Sequence, residues 1–533
     1  MMSSEHHGLK RQKVGVFSIV GMVYAMTAAG AYGIEDMVSA SGPGMTFIML
    51  LVLPLIWAFP IALASCELGS AIPDECGFYR WVQRALGEFW GFQIGWLKNI
   101  GLYINVAVFV VLAADYLAGY FGMNKLTAYI CKVVIILIFT IINLRGVRDV
   151  AIVSTVISVA ILVAFAGITV IGFCHIQYNP FEPVVATGST AVGAIGSSVA
   201  IGMWMYAGYE SMSALAGEVE DPQIIPKGIL IALPLVIGTY VLPTLASVGA
   251  IGQWADWGSD GVSYVDVARE FAPVFGVAFM LVAVISNLDL FNVYLASGAR
   301  GFYVMSDDHL GPEILARTDR KRGVPYVSIL MLSIVALVLC LFNFDILVTI
   351  VSLFNMGLYS LIMISLIVLR RKEPDLPRPF RIPFGKVGTD IFCAIPIAVA
   401  FIALYINGTD YFVLGLAGMV SGPIAYIIAK HVWGGLYKVD AEKYPINPRT
   451  KLAVGDTMRL GIAFAILGGL MLIGRVFLPG YEDHAYYAQT YGVSGIFDIF
   501  MQVILVLGIV CLAAAAVCAV LYHSLDRVKA AAH

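Results

Sequence analysis

Residues 25–44 read AMTAAGAYGIEDMVSASGPG. The stretch begins like a membrane-spanning helix, then sets Gly30 and Gly33 around two residues and follows them with Glu35 and Asp36. Glycine lowers the cost of leaving helical geometry, and ionisable residues inside an apolar span are expensive and usually face a pathway. An unwound backbone in lipid leaves N–H and C=O groups unpaired. It is tolerated only where it is buried in protein or lines a water-filled cavity. Close packing of Gly30 and Gly33 against a neighbouring helix is the alternative, since small residues are common where membrane helices meet.

The rest of the chain sets the context. Of 533 residues, 60% are hydrophobic and 13% charged, with a mean hydropathy of +0.88. A soluble domain carries about 25% charged residues. Long apolar runs recur, among them 150–173, 346–369 and 496–522, and about 20 such residues cross a bilayer core as a helix. The fold class is therefore an all-α polytopic membrane protein. The opening MMSSEHHGLKRQK is polar and basic, and the apolar run behind it lacks a small-residue cleavage site, so it is expected to stay as a span. The eight cysteines form no CxxC pair or metal spacing, so neither a disulfide framework nor a metal site is expected. No cofactor, no nucleic-acid partner and no enzymatic constellation is expected either, and the absence of a phosphate-binding loop argues against ATP-driven pumping.

About 14 spans are expected, arranged as a cytoplasmic tail (1–14), a first repeat of spans 1–5 (15–173) and a second of spans 6–10 (191–369). Spans 11–12 (388–430), a cytoplasmic linker (431–459), spans 13–14 (460–522) and a cytoplasmic tail (523–533) complete the chain. Of the 32 lysines and arginines, all but Lys98, Lys125, Lys132, Arg269 and Arg475 fall on the N-terminal side of the alternation. By the positive-inside rule that side is cytoplasmic.

The sixth span answers the first. It reads SSVAIGMWMYAGYESMSALAGEVEDP (197–222), with Gly208 two residues ahead of Glu210 as Gly33 is two ahead of Glu35. Each break lies about fifteen residues into its span, ~22 Å of helix, yet the two spans enter from opposite faces. That is the pattern of two five-helix units with inverted topology, whose interrupted helices meet at a midplane site. Free N–H groups at half-helix ends suit a carboxylate, while Glu35 and Glu210 suit an ammonium group or a proton. Trp204, Tyr206, Tyr209 and Tyr32 are candidate walls for a cation. In the eighth span, ISNLDLFNVYLASGAR (285–300), Asp289 either joins the site or pairs with Lys98. Glu35, Glu210 and Asp289 are the proton candidates; a sodium ion would instead draw on Ser286 or Ser297. Lys98 and Glu67 are gate candidates.

Further stretches carry a resemblance: YGIED (32–36), PLIWAFPIALASCELGSAIPDECGFYRWVQRALGEFWGFQIGWLK (54–98), AGEVEDP (216–222), LDLFNVYLASGARGFYVMSDDHLGP (288–312), GVPYVSIL (323–330) and LPRPFRIPFG (376–385). Taken together and in this order, they resemble the amino acid–polyamine–organocation superfamily, in its polyamine uptake and L-type amino acid transporter branch. The resemblance implies a LeuT-type 5+5 inverted repeat with two further helices, to which this chain adds two more. It also implies a substrate held at Gly30, Ala31, Tyr32, Gly33, Glu35, Tyr206, Ala207, Gly208, Tyr209 and Glu210. The expected function is secondary active transport of a small amine-bearing solute by alternating access, coupled to a proton or, less readily, to sodium. A neutral amino acid transporter, and a non-transporting sensor or channel on the same fold, remain open. The expected setting is the plasma membrane, multi-pass, with both termini cytoplasmic, as a monomer or homodimer.

Overall fold

The computed structural model describes residues 15–74, 77–145, 150–208, 224–258, 261–319, 324–480 and 484–526. The described residues form helices and no strand.

The first span is built in three pieces: α1 (Val16–Ala28), a 3₁₀ segment (Ala29–Gly33) and α2 (Ile34–Ser41). The α ladder is thus lost where Gly30 and Gly33 fall. The chain tightens there instead of unwinding, because i→i+3 bonds keep most backbone groups paired within a buried segment. Gly42, at φ +91°, turns the chain into α3 (Pro43–Leu53). A π segment (Pro54–Ala58) then leads into α4 (Phe59–Ala71). Pro54 has no N–H to offer the carbonyl of Leu50; the hydroxyl of Tyr206 donates to that carbonyl instead, at 2.8 Å. The proline thereby ties the second span to the end of the sixth.

The remaining helices of the first half are α5 (Gly77–Leu86), α6 (Glu88–Phe121), α7 (Lys125–Arg145) and α8 (Val150–Cys174). The second half begins with α9 (Ala191–Met205), α10 (Ile224–Ile251), α11 (Tyr264–Phe271) and α12 (Pro273–Asp307). It continues through α13 (Tyr326–Leu339), α14 (Phe344–Lys372), α15 (Lys386–Ile406) and α16 (Thr409–Val432). The last helices are α17 (Asp456–Phe477), α18 (His484–Tyr491) and α19 (Ile496–Leu521).

Among the described residues, eleven helices are long and apolar enough to cross a membrane. The first, sixth and ninth expected spans are shorter as continuous α-helix. The first is interrupted at 29–33, α9 stops at Met205, and α13 has 14 residues. The most apolar 18-residue windows of α6 and α14 are each 72% buried, against 22% for α7 and 17% for α19. Thus α6 and α14 form the hub, while α7 and α19 present their apolar faces outward. The hub helix α6 packs on α12 and α14, and α1 packs on α8 and α10. Arg80 and Arg84 of α5 and Arg370–Lys372 at the end of α14 mark one end of the helices, which we call the basic end.

Candidate functional site

The two interruptions meet. The ladder of α9 closes with Tyr206 N–H on Gly202 O and Ala207 N–H on Trp204 O. Gly208 then turns the chain away at φ +109°, a region that glycine enters at little cost. Carbonyls left over at both breaks converge on one donor: the Tyr240 hydroxyl, from α10, lies in hydrogen-bond reach of Thr27 O and Met205 O. Beside this junction is a small, tightly closed pocket. Met26 and Thr27 contribute from α1, Asn105 and Phe109 from α6, Trp204, Met205 and Ala207 from the sixth span, and Tyr294 from α12.

Three rings make the wall. Phe109 lies 5.1 Å from Tyr294 and 5.9 Å from Trp204, measured between centroids. Behind them Phe344 meets Trp204 edge-on at 5.4 Å. The indole is held in place because its Nε1–H donates to Asn105 Oδ1 at 2.8 Å. Gly208 faces the same space, since a Cβ there would lie 3.9 Å from Tyr294 Oη and 4.0 Å from Thr27 Cγ2. Every described lining residue is uncharged.

Around the 3₁₀ segment that follows α1, aromatic rings pack into a cluster, here called the roof. Tyr32, in the 3₁₀ segment, packs 5.4 Å from Tyr116, 5.1 Å from Phe165 and 6.1 Å from Phe279. Tyr264 closes the cluster against Phe165 at 5.6 Å. Glu35 sits inside this roof, 1% exposed. Its carboxylate accepts from the Tyr116 hydroxyl, 2.7 Å from both oxygens, and from the backbone N–H of Tyr264 at 2.7 Å. That N–H is the first of α11, so the carboxylate also meets the positive end of a helix. Burial holds the Tyr264 phenol well above its ordinary pKa, so it stays protonated beside Thr244 Oγ1, at 2.6 Å.

The sequence comparisons agree with this architecture. Residues 14–413 match the family model described as "Amino acid permease". The chain belongs to the amino acid permease family. Among its relatives, "Polyamine transporter RMV1" of Arabidopsis thaliana is 29% identical over 430 residues, covering 79% of this chain and 86% of the relative. "Polyamine transporter PUT1" of Oryza sativa subsp. japonica is 29% identical over 438 residues, covering 79% and 80%. "Branched-chain amino acid permease BcaP" of Bacillus subtilis (strain 168) is 26% identical over 404 residues, covering 69% and 82%.

At its basic end the permease is closed by ion pairs. The carboxylate of Glu67, fully buried, accepts from Arg370 at 2.8 and 2.5 Å and from Ile382 N–H at 2.8 Å, with Arg378 Nε at 3.4 Å. This docks the 373–385 linker beneath α4. Arg80 of α5 pairs with Asp308 at 2.8 Å, and Tyr79 donates to the same carboxylate at 2.7 Å. Arg84 meets Glu373 at 2.6 Å, and its hydrogen bond holds the Glu373 carboxyl below the usual range.

The expected residues thus divide. Trp204, Ala207 and Gly208 stand at the pocket. Gly30, Ala31 and Gly33 build the 3₁₀ segment beside it, with Gly33 pressed against the Phe344 ring. Tyr32 and Glu35, expected against the substrate, are turned into the roof instead. Tyr206 points to the second span. Tyr209 and Glu210 lie outside the described residues. Asp289 is half-buried on α12, and Ser286, buried, donates to Ala283 O. Ser297 is exposed and turns back to Tyr294 O. Glu67, expected at a gate, is the buried anchor of the basic end, and Lys98 Nζ stands over the Phe78 ring at 5.6 Å. Neither lines the pocket.

Sequence reasoning passed over Asn105, Phe109 and Thr27, and over Tyr116 and Tyr264 as partners of Glu35. Asn105 had a signal, an amide inside the apolar run YINVAVF (103–109). The tyrosines had none, being 81 and 229 residues away from Glu35 in sequence.

Proposed function

We propose that this permease carries small amine-bearing solutes, diamines and polyamines foremost, across the plasma membrane by alternating access. The observation that supports this best is the aromatic pocket of Phe109, Trp204 and Tyr294 at the junction of two interrupted helices. Ring faces attract an ammonium group, by ~2 kcal/mol or more when the cation is desolvated. Glu210 follows Gly208 by two residues in sequence and lies outside the described residues. The names of the plant relatives point the same way. Transport is coupled to a proton, carried by Glu35, Glu210 or Asp289. The basic end faces the cytoplasm, and with it both termini. The solute leaves chemically unchanged.

Counterflow in liposomes containing the purified chain tests the reading. Internal unlabelled putrescine or spermidine is expected to draw in the labelled compound, and Trp204→Ala to slow that exchange at least tenfold while the protein stays folded. Wild-type exchange in Trp204→Ala would remove the pocket assignment. A second reading, a neutral amino acid carrier, is favoured by the uncharged described lining and by the BcaP relative. Leucine counterflow without putrescine counterflow decides for it. Binding of either solute without exchange would mark a sensor.

A further inference from the structure

We infer that Glu35 is a protonatable latch, the positioning residue that holds the roof together. The inference deepens the reading above, because it names the group through which a proton acts on alternating access. Three elements converge on this one carboxylate: α2 supplies it, α6 supplies the Tyr116 hydroxyl, and α11 supplies its first N–H. The helix α11 also packs through the buried side chains of Val265, Val267 and Ala268, through rings, and through Tyr264 Oη with Thr244 of α10.

The surroundings give the latch its chemistry. Facing Glu35 are Asp36 on its own helix, Tyr32 in the 3₁₀ segment, Tyr116 of α6, and Tyr264 and Asp266 of α11. Asp266 is engaged in capping α11, accepting from Ser263 N–H and Oγ–H. Asp256 lies in the 254–256 turn that packs on α2, and α8 and α12 contribute Phe165 and Phe279. Among the described residues no lysine, arginine or histidine pairs with Glu35. Its charge is answered only by neutral donors and a helix terminus.

An ionised carboxylate accepts every one of these bonds with charge assistance, about twice the strength of the neutral form, and it favours the N-terminus of α11. Adding a proton cancels both effects and turns one oxygen into a donor. The ionised latch therefore holds the roof shut, and the protonated latch releases α11.

Hydrogen exchange of residues 261–272 in the full chain, corrected for intrinsic rates, reads the latch directly. In the wild type, protection is expected to fall by about tenfold or more as pH drops and Glu35 gains its proton, the factor for one hydrogen bond to a charged group. In Glu35→Gln, protection should be low and independent of pH. That variant should lose uptake driven by a proton gradient. Tyr116→Phe, which keeps the ring and removes one donor, should shift protection in the same direction, and decides the matter if Glu35→Gln does not fold. Unchanged pH-dependent protection in the folded variant overturns the latch. A wild type that exchanges no amine or amino acid overturns the proposed function, while the exchange measurement still judges the latch.

Discussion

Gly33 and Gly208 are glycines for different physical reasons. Gly208 has room around it and needs its backbone freedom, at φ +109°. Gly33 has an ordinary φ of −104° and needs space, because a Cβ there would run into the Phe344 ring. Phe344 in turn braces Trp204, so the crowding would reach the pocket wall. Overpacking of this kind costs about 1–3 kcal/mol. Gly33→Ala is thus expected to lower the thermal midpoint and raise the half-saturation concentration, and Phe344→Leu to restore much of the stability when added. A midpoint that the second substitution leaves depressed would show that space is not the reason. The breaks were legible at this scale because glycines next to carboxylates contradict an apolar span. Which way the carboxylates turn was not: Glu35 faces the roof because of donors that lie far off along the chain.

At the scale of elements, the breaks differ in kind. The first span continues through a 3₁₀ segment while α9 ends outright, and both surplus carbonyls find Tyr240. The proline-rich 373–385 linker is pinned by Glu67. Removing one member of a buried ion pair strands the other charge and costs about 3–5 kcal/mol. Glu67→Gln leaves Arg370 and Arg378, 8% and 6% exposed, without their anion. The expected result is a lower unfolding temperature together with faster protease cleavage between 373 and 385. Wild-type resistance to protease would mean that the linker is held by its prolines alone.

Across the whole molecule, the C-terminal helices are braced at both ends. Near α18, the Tyr487 hydroxyl accepts from Thr409 N–H at 2.8 Å and Tyr491 donates to Asp410 at 2.7 Å. At the basic end, Tyr426 donates to Asp456, and Lys430 pairs with Glu88 at 3.0 Å. Through α16 these contacts attach α17 and α19 to the hub helix α6, with no pocket residue involved. Replacing both Tyr487 and Tyr491 by phenylalanine is expected to lower thermal stability by a few degrees and leave the half-saturation concentration of transport unchanged. A changed half-saturation concentration would make these helices part of the transport cycle.

The chain alone determined that this is a polytopic helical protein with glycine-marked breaks in its first and sixth spans. Apolar runs, basic residues and glycines act locally, through transfer from water and backbone sterics. Only the tertiary structure decided which side chains meet at those breaks. It drew Asn105, Phe109 and Tyr294 to the pocket and closed Glu35 beneath Tyr116 and Tyr264, because hydrogen bonds and ring contacts form between helices whose separation along the chain carries no trace of their separation in space.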